Sequence, residues 1–130
     1  MAIRIVRLGS GRAADEGPRI GTVRRPPRGV PKAEFASGNW YDVWYPNLAP
    51  SVETMKLGQD AADDAQWRAF DKRFRAEMAA PDASRSLDLL ATLSQGANFA
   101  LGCYCADERR CHRGILRALL AERGAALRED

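Results

Sequence analysis

Four stretches of the chain carry patterns typical of strands. Residues 3–8 are mostly β-branched or apolar and end at Gly9, and residues 19–24 form a second such run that two prolines end. Residues 98–105 form a continuous apolar run of strand length, which suits a strand covered on both faces. In residues 40–45 the side chains alternate, so a short strand or an extended loop is expected there.

Helical periodicity is clearest in the middle of the chain. Asp63 is a good N-cap, with Gln66 in the capping-box position. An apolar stripe at spacings of three and four then predicts a helix over residues 64–79. The stripe consists of Trp67, Phe70, Phe74 and Met78.

Three further helices follow from start and stop signals. Ser51 is the predicted N-cap of one helix, a second runs from Pro81 and is terminated by Gly96, and a last helix follows Arg110 and ends near Gly124. Strand, helices, buried strand and helix is an α/β order. We therefore expect a single three-layer α/β domain over residues 1–130, with a small, mostly parallel sheet flanked by helices.

Composition and charge narrow the class of protein. The chain has 130 residues, the size of one domain, and no run of about 20 apolar residues that could span a membrane. Arginines interrupt its first apolar run, which is unlike a signal peptide, so a cytoplasmic protein with no membrane partner is expected. The net charge is only +3, but almost all basic residues are arginines, whose planar forks suit carboxylates and phosphates.

The cysteines lie close together, at positions 103, 105 and 111. An odd number in a chain without an export signal argues against a disulfide framework. Metal binding, a reactive thiol and plain burial remain as alternatives.

Residues 103–113 are the most informative stretch, because they form a strand–loop–helix junction. Ligands of open α/β sheets bind at such junctions, and the first turn of a helix offers free N–H groups to anions. Cys111, His112 and Arg113 would occupy that turn, with Arg109 and Arg110 just before it. His112 is the only histidine of the chain.

Three chemistries can use this junction. Cys111 at a helix start can be a reactive thiolate, with His112 as its proton carrier, and these two are the candidate catalytic residues. Alternatively, Cys103 and Cys105, which face the same side because they are two apart on a strand, can bind zinc together with Cys111 or His112. The three cysteines can also form a redox-active thiol site. Adjacent Cys111 and His112 are not expected to bind one ion together. The third possibility is anion binding by arginines and helix amides.

The segment around Trp40, Tyr41, Trp44 and Tyr45 is rich in aromatic side chains. Such residues can stack on nucleic-acid bases, but they more often close a core or an interface. Nucleic acid is therefore a weak candidate partner, and a protein-interaction module is a further alternative.

Several motifs in order resemble the bacterial family known as domain of unknown function 488. The motifs are Arg24-Arg25-Pro26-Pro27-Arg28-Gly29, then Trp40, then Leu48-Ala49-Pro50-Ser51, then the helix from Trp67 to Glu77, and finally the Cys-His-Arg helix start. The resemblance covers about residues 19–120. It implies a compact α/β domain, brings no established reaction, and carries over Arg25, Arg28, Gly29, Pro50, Ser51, Cys111, His112 and Arg113.

The leading hypothesis is a site for an anionic ligand where two loops converge. Candidate ligand-binding residues are Arg25, Arg28, Ser51, Arg109 and Arg113. The ligand would be a nucleotide, a phosphorylated metabolite or a nucleic-acid phosphate, held by arginine forks and helix amides. The sequence itself names no cofactor and no oligomeric state.

Overall fold

A computed structural model describes residues 2–129, and its strands form one sheet of four parallel strands. The strands are β1 (Ile3–Arg7), β2 (Arg19–Gly21), β3 (Val43–Trp44) and β4 (Phe99–Cys103), in the order β1-β4-β2-β3. The expected strands are thus confirmed, and β2 and β4 are shorter than their apolar runs. β2 ends early because the next two carbonyls, of Thr22 and Val23, accept hydrogen bonds from side chains instead of from a neighbouring strand.

Residues 2–129 contain four α-helices. They are α1 (Val52–Gln59), α2 (Asp64–Met78), α3 (Pro81–Leu93) and α4 (His112–Glu122). The predicted caps are present, because the Ser51 side chain accepts a hydrogen bond from the Thr54 amide and Asp63 accepts one from the Gln66 amide. Within residues 2–129, no helix is both long enough and apolar enough to cross a bilayer.

Two apolar clusters occupy the two faces of the sheet, because side chains alternate along β1 and β4. The larger cluster joins one face to α2, α3 and α4, and includes Ile3, Ile5, Phe74, Leu87, Phe99, Leu101 and Leu116. The smaller one joins the other face to the segment between β2 and β3, and includes Val6, Val23, Tyr41 and Ala100, with Trp40 packed against it. The fold is therefore the expected α/β arrangement, with this irregular segment and its 3-10 turn (Lys32–Glu34) covering the second face.

Residues 126–128 pair with the free edge of β1 at Ile3. The Ile3 amide donates to the Ala126 carbonyl at 2.9 Å, and the Arg128 amide donates to the Ile3 carbonyl at 2.8 Å. A parallel bridge between Ile3 and Leu127 results. This short segment satisfies backbone groups that an edge strand would otherwise expose.

A buried ion pair fixes the loop after β1 and the loop before β3. Arg19 and Glu16 are both fully buried, and the Arg19 Nε–Glu16 Oε2 distance is 2.8 Å. The Arg19 guanidinium also donates to the carbonyls of Ser10 and Asn39, at 2.8 and 2.7 Å. Burial raises the pKa of Glu16, but hydrogen bonds from Arg19 and Arg4 outweigh this effect and hold it below 4.5. The loops after β1 and before β3 therefore depend on one guanidinium.

We expect Glu16→Gln to lower the free energy of unfolding by about 3–5 kcal/mol, because it leaves the Arg19 charge buried without its partner. Denaturant titration measures this change. Glu53→Gln is the matched control, since Glu53 pairs with Arg73 on the surface and should change stability by less than about 1 kcal/mol. Equal effects of the two substitutions would contradict this account.

Candidate functional site

A cleft of about 630 Å³ lies beyond the carboxyl ends of β2 and β4. Residues 23–28 form one wall, and the start of α4 with the end of β4 forms the floor. The two loops that the sequence analysis expected to converge therefore line one hollow. Its position follows the general rule for parallel α/β sheets, in which ligands bind beyond the carboxyl ends of the strands.

The basic loop, residues 24–29, is held in place by Arg24. Its guanidinium donates hydrogen bonds to the carbonyls of Pro46, Ala49 and Pro50, at 3.0–3.3 Å. These contacts join the loop to the turn before α1, while Gly29 adopts a positive φ of 75° that favours glycine. The sequence motif gave no sign that Arg24 has this structural role.

Arg25 and Arg28 differ from the neighbouring Arg24. Both are exposed and line the cleft, and neither guanidinium forms an ion pair or hydrogen bond with any residue in the range 2–129. A third arginine, Arg110, pairs with Asp64 and lies over the Trp67 ring, 5.5 Å from its centroid. The cleft therefore carries two uncompensated positive charges at its basic loop.

Aromatic side chains form the apolar part of the cleft. Trp40, Trp67, Phe70 and Tyr104 line it. Trp40 and Tyr104 meet edge to face at 6.1 Å, and the Tyr104 hydroxyl donates to the Arg25 carbonyl at 2.8 Å. Burial raises the pKa of Tyr104, so this hydroxyl stays protonated as a donor. Tyr104 was missed in the sequence, although its position at the end of a buried strand was a usable signal.

The other aromatic side chains of residues 40–45 pack against neighbouring elements, as expected for residues that close a core. Tyr41 is buried against β2, in contact with Gly21, where any added Cβ would lie 2.4 Å from the Tyr41 ring. Tyr45 hydrogen-bonds to Ser86 at 2.6 Å, and Trp44 donates from Nε1 to the Val23 carbonyl at 2.8 Å. Trp44 nevertheless remains 46% exposed.

The floor of the cleft is a Cys/His cluster made of Cys103, Cys111 and His112. The structure joins Cys103 and Cys111 in a disulfide, which the odd number of cysteines had argued against, and one ligand atom from each of the three residues lies within 4.8 Å of the others. The sequence analysis did not expect adjacent Cys111 and His112 to bind one ion together, but their ligand atoms lie close together in the structure. Cys111 is the extended N-cap of α4 and His112 is its first helical residue, so the change in backbone direction turns the two side chains together.

His112 is fixed by the end of β2. Its Nε2 lies 2.6 Å from the Thr22 carbonyl, which can only accept, so Nε2 carries the proton. The other nitrogen, Nδ1, then presents its lone pair to Cys111 Sγ at 3.9 Å. Burial lowers the pKa of His112 from 6.5 to about 4, despite the hydrogen bond to Thr22, so the ring is neutral at physiological pH.

Cys105 does not join this cluster, which corrects the expected metal-ligand set of Cys103, Cys105 and Cys111. The argument assumed a strand that continued to residue 105. β4 ends at Cys103, so the alternation of side chains stops there and the Cys105 side chain is exposed at the cleft.

Arg113 and Arg109 lie away from the cleft wall. Arg113 is 5% exposed, and its guanidinium donates to the carbonyls of Cys103 and Cys105 and approaches Cys103 Sγ at 3.6 Å. It thereby fixes the end of β4. Arg109 has a side chain that is 90% exposed, and it pairs with Asp107.

Ser51, carried over from the family motif, is engaged in the structure of α1. Its hydroxyl donates to the Glu77 carboxylate at 2.6 Å, and the Ser51 amide and the Thr54 hydroxyl donate to the same group. Burial raises the pKa of Glu77, but these hydrogen bonds outweigh it and hold the pKa below 4.5. The motif residues Ser51 and Glu77 therefore join α1 to α2.

The fold and the Cys/His cluster define an α/β protein with its site at a strand–helix junction. A family model named DUF488-N3a, described as the active DUF488-N3 subclade, matches residues 3–124. The chain therefore belongs to the DUF488 family. Searches of curated proteins and of solved structures returned no match.

The Glu77 contacts predict how stability depends on acid. Because the folded pKa of Glu77 lies below 4.5, its ionised form stabilises the fold above that pH, and this contribution is lost as the pH falls through the folded pKa. We expect Glu77→Gln to be less stable at neutral pH, by on the order of 1 kcal/mol, and to lose less stability on acidification. Urea titrations at several pH values measure this, and an unchanged acid profile would contradict it. Glu122→Gln, on the surface, is the control.

Proposed function

We propose that the cleft binds a small phosphate-bearing ligand with a flat apolar part, such as a nucleotide. The observation that carries this proposal is the pair of unpaired guanidinium groups, Arg25 and Arg28, on the wall of a cleft that also has aromatic walls. Its volume of about 630 Å³ falls within the roughly 300–1,000 Å³ typical of small-molecule sites.

The charges of the cleft favour an anion. Arginine binds phosphate oxygens through two parallel hydrogen bonds, which are stronger than bonds between neutral groups. The start of α4 adds free backbone N–H groups, since Cys111 provides no side-chain cap there. The basic loop is stiffened by two prolines and held by Arg24, so little ordering of the loop is needed when a ligand binds.

The aromatic walls favour a ligand with a ring rather than a bare phosphate. Trp40, Tyr104 and Trp67 offer flat apolar surfaces beside the arginines. Stacking on such a surface contributes about 1–3 kcal/mol per base. A nucleotide or a phosphorylated aromatic metabolite fits both parts of the cleft.

Catalysis by Cys111 and His112 is a second candidate function. It is supported by the 3.9 Å distance between Cys111 Sγ and His112 Nδ1, by the position of both residues at the cleft floor, and by the word "active" in the description of the matched subclade. In this proposal Cys111 is the nucleophile and His112 accepts its proton. This role requires the reduced form of Cys103 and Cys111, which persists in a reducing compartment, and for this reason we propose a cytoplasmic location.

We expect Arg25→Ala and Arg28→Ala each to weaken binding of a nucleoside diphosphate, because each removes charge-assisted hydrogen bonds. The expected loss is on the order of tenfold to a hundredfold. Calorimetric titration with ADP, pyrophosphate and adenosine measures it. ADP should bind more tightly than either of the other two probes, since only ADP uses both the arginines and the aromatic walls.

Arg85→Ala is the matched control, because Arg85 is an exposed arginine on α3 that does not line the cleft. It should bind ADP as the unsubstituted protein does. Failure of ADP and pyrophosphate to bind, or unchanged affinity in both cleft variants, would refute the proposed ligand class.

A further inference from the structure

We propose that Cys103, Cys111 and His112 form a zinc site with three protein ligands, whose fourth coordination position opens to the cleft. This inference goes beyond the proposed anion binding, which depends on the basic loop. It also differs from the ligand sets that the sequence suggested, because it leaves out Cys105 and uses Cys111 and His112 together.

The spacing of the ligand atoms is close to that of a tetrahedral site. Zn–S bonds of about 2.3 Å and Zn–N bonds of about 2.0–2.1 Å place a sulfur and a nitrogen roughly 3.5 Å apart. Cys111 Sγ and His112 Nδ1 are 3.9 Å apart, and the ligand atoms of all three residues lie within 4.8 Å. The ion binds the reduced form: a thiol reductant supplies two electrons that break the Cys103–Cys111 bond, and the two thiolates then separate to about 3.7 Å to admit the ion.

The orientation of His112 is the second argument. Zinc-bound histidines almost always donate their other N–H to a carbonyl or carboxylate, which fixes the tautomer and the ring. His112 makes this contact, from Nε2 to the Thr22 carbonyl at 2.6 Å, and its Nδ1 lone pair faces the sulfurs. Packing against Phe74, edge to face at 5.5 Å, holds the ring further.

A zinc ion explains the close cysteines better than a disulfide does. The Cα atoms of Cys103 and Cys111 are 7.8 Å apart, beyond the roughly 4.4–6.8 Å over which disulfides form without movement of the backbone. The Arg113 guanidinium, 3.6 Å from Cys103 Sγ, stabilises the thiolate that a metal needs. Two thiolates and one imidazole are soft and intermediate ligands of the kind that select zinc.

All three ligand residues line the cleft, so the remaining position of the ion faces it. Three protein ligands with an open fourth position are the arrangement of catalytic rather than structural zinc sites. Cys105, the free and exposed thiol beside the cleft, stays outside the coordination sphere in this proposal.

Metal uptake by the full chain tests the site. Protein made without a histidine tag is reduced, stripped with a chelator and titrated with Co²⁺ and with Zn²⁺ in separate experiments. We expect one ion per chain, with the visible absorption of tetrahedral cobalt and a charge-transfer band from two thiolates. Cys103→Ser, Cys111→Ser and His112→Gln should each weaken zinc affinity by more than the 10–100-fold typical of losing a residue that only hydrogen-bonds to a ligand.

Cys105→Ser is the matched control and should keep both the stoichiometry and the cobalt spectrum. Because the cobalt titration of the unsubstituted protein stands alone, the test survives a variant that fails to fold. Reduced protein that takes up no ion would overturn the proposal, as would loss of the cobalt spectrum in Cys105→Ser. Phosphate binding, tested separately through Arg25 and Arg28, can persist in either of these cases.

Discussion

The hydrogen bond from His112 to the Thr22 carbonyl connects the end of β2 to the beginning of α4. In a parallel sheet, backbone carbonyls at the carboxyl ends of the strands lose their partners where a neighbouring strand stops, and a buried carbonyl without a donor is unfavourable. Here side chains supply the donors. His112 donates to the Thr22 carbonyl after β2, and Arg113 donates to the Cys105 carbonyl after β4, whereas the Cys103 carbonyl also accepts from the Leu8 amide. These contacts form the floor of the cleft and set the positions of the sulfurs.

The arginines of the chain divide into two groups with different roles. Arg19, Arg24 and Arg113 direct their guanidinium groups at backbone carbonyls and hold loops to the sheet. Arg25 and Arg28 instead line the cleft, where their guanidinium groups are exposed. The contacts of the first group hold the basic loop in place. A basic loop that moved freely would not present the two charges of Arg25 and Arg28 at one place.

Much of the fold followed from local patterns. Periodicity located α2, cap residues located the starts of α1 and α2, and the continuous apolar run located β4, a strand with neighbours on both sides. These signals are local, so neighbouring residues carry them. The rule for parallel sheets also placed the cleft correctly.

The detailed site could not be read in the same way. Nothing adjacent to Arg24 in the chain distinguishes it from Arg25, because its partners lie 22–26 residues away. Arg19 has a nearby partner in Glu16, three residues before it, but the carbonyls that it binds lie 8–20 residues away. The grouping of Cys111 with His112 depends on one change of backbone direction at the start of α4. The exclusion of Cys105 depends on where β4 ends, and strand ends are poorly specified by apolar runs.

The bridge between Ile3 and Leu127 has a consequence for association between copies of the chain. At the opposite edge, β3 is only two residues long and therefore offers little backbone for pairing. β1 is the longer edge strand, and residues 126–128 pair with its outer edge at Ile3. A shortened chain lacking residues 126–128 would leave the outward amide and carbonyl of Ile3 open to other molecules. Residues 126–128 thus protect the start of β1 from intermolecular strand addition.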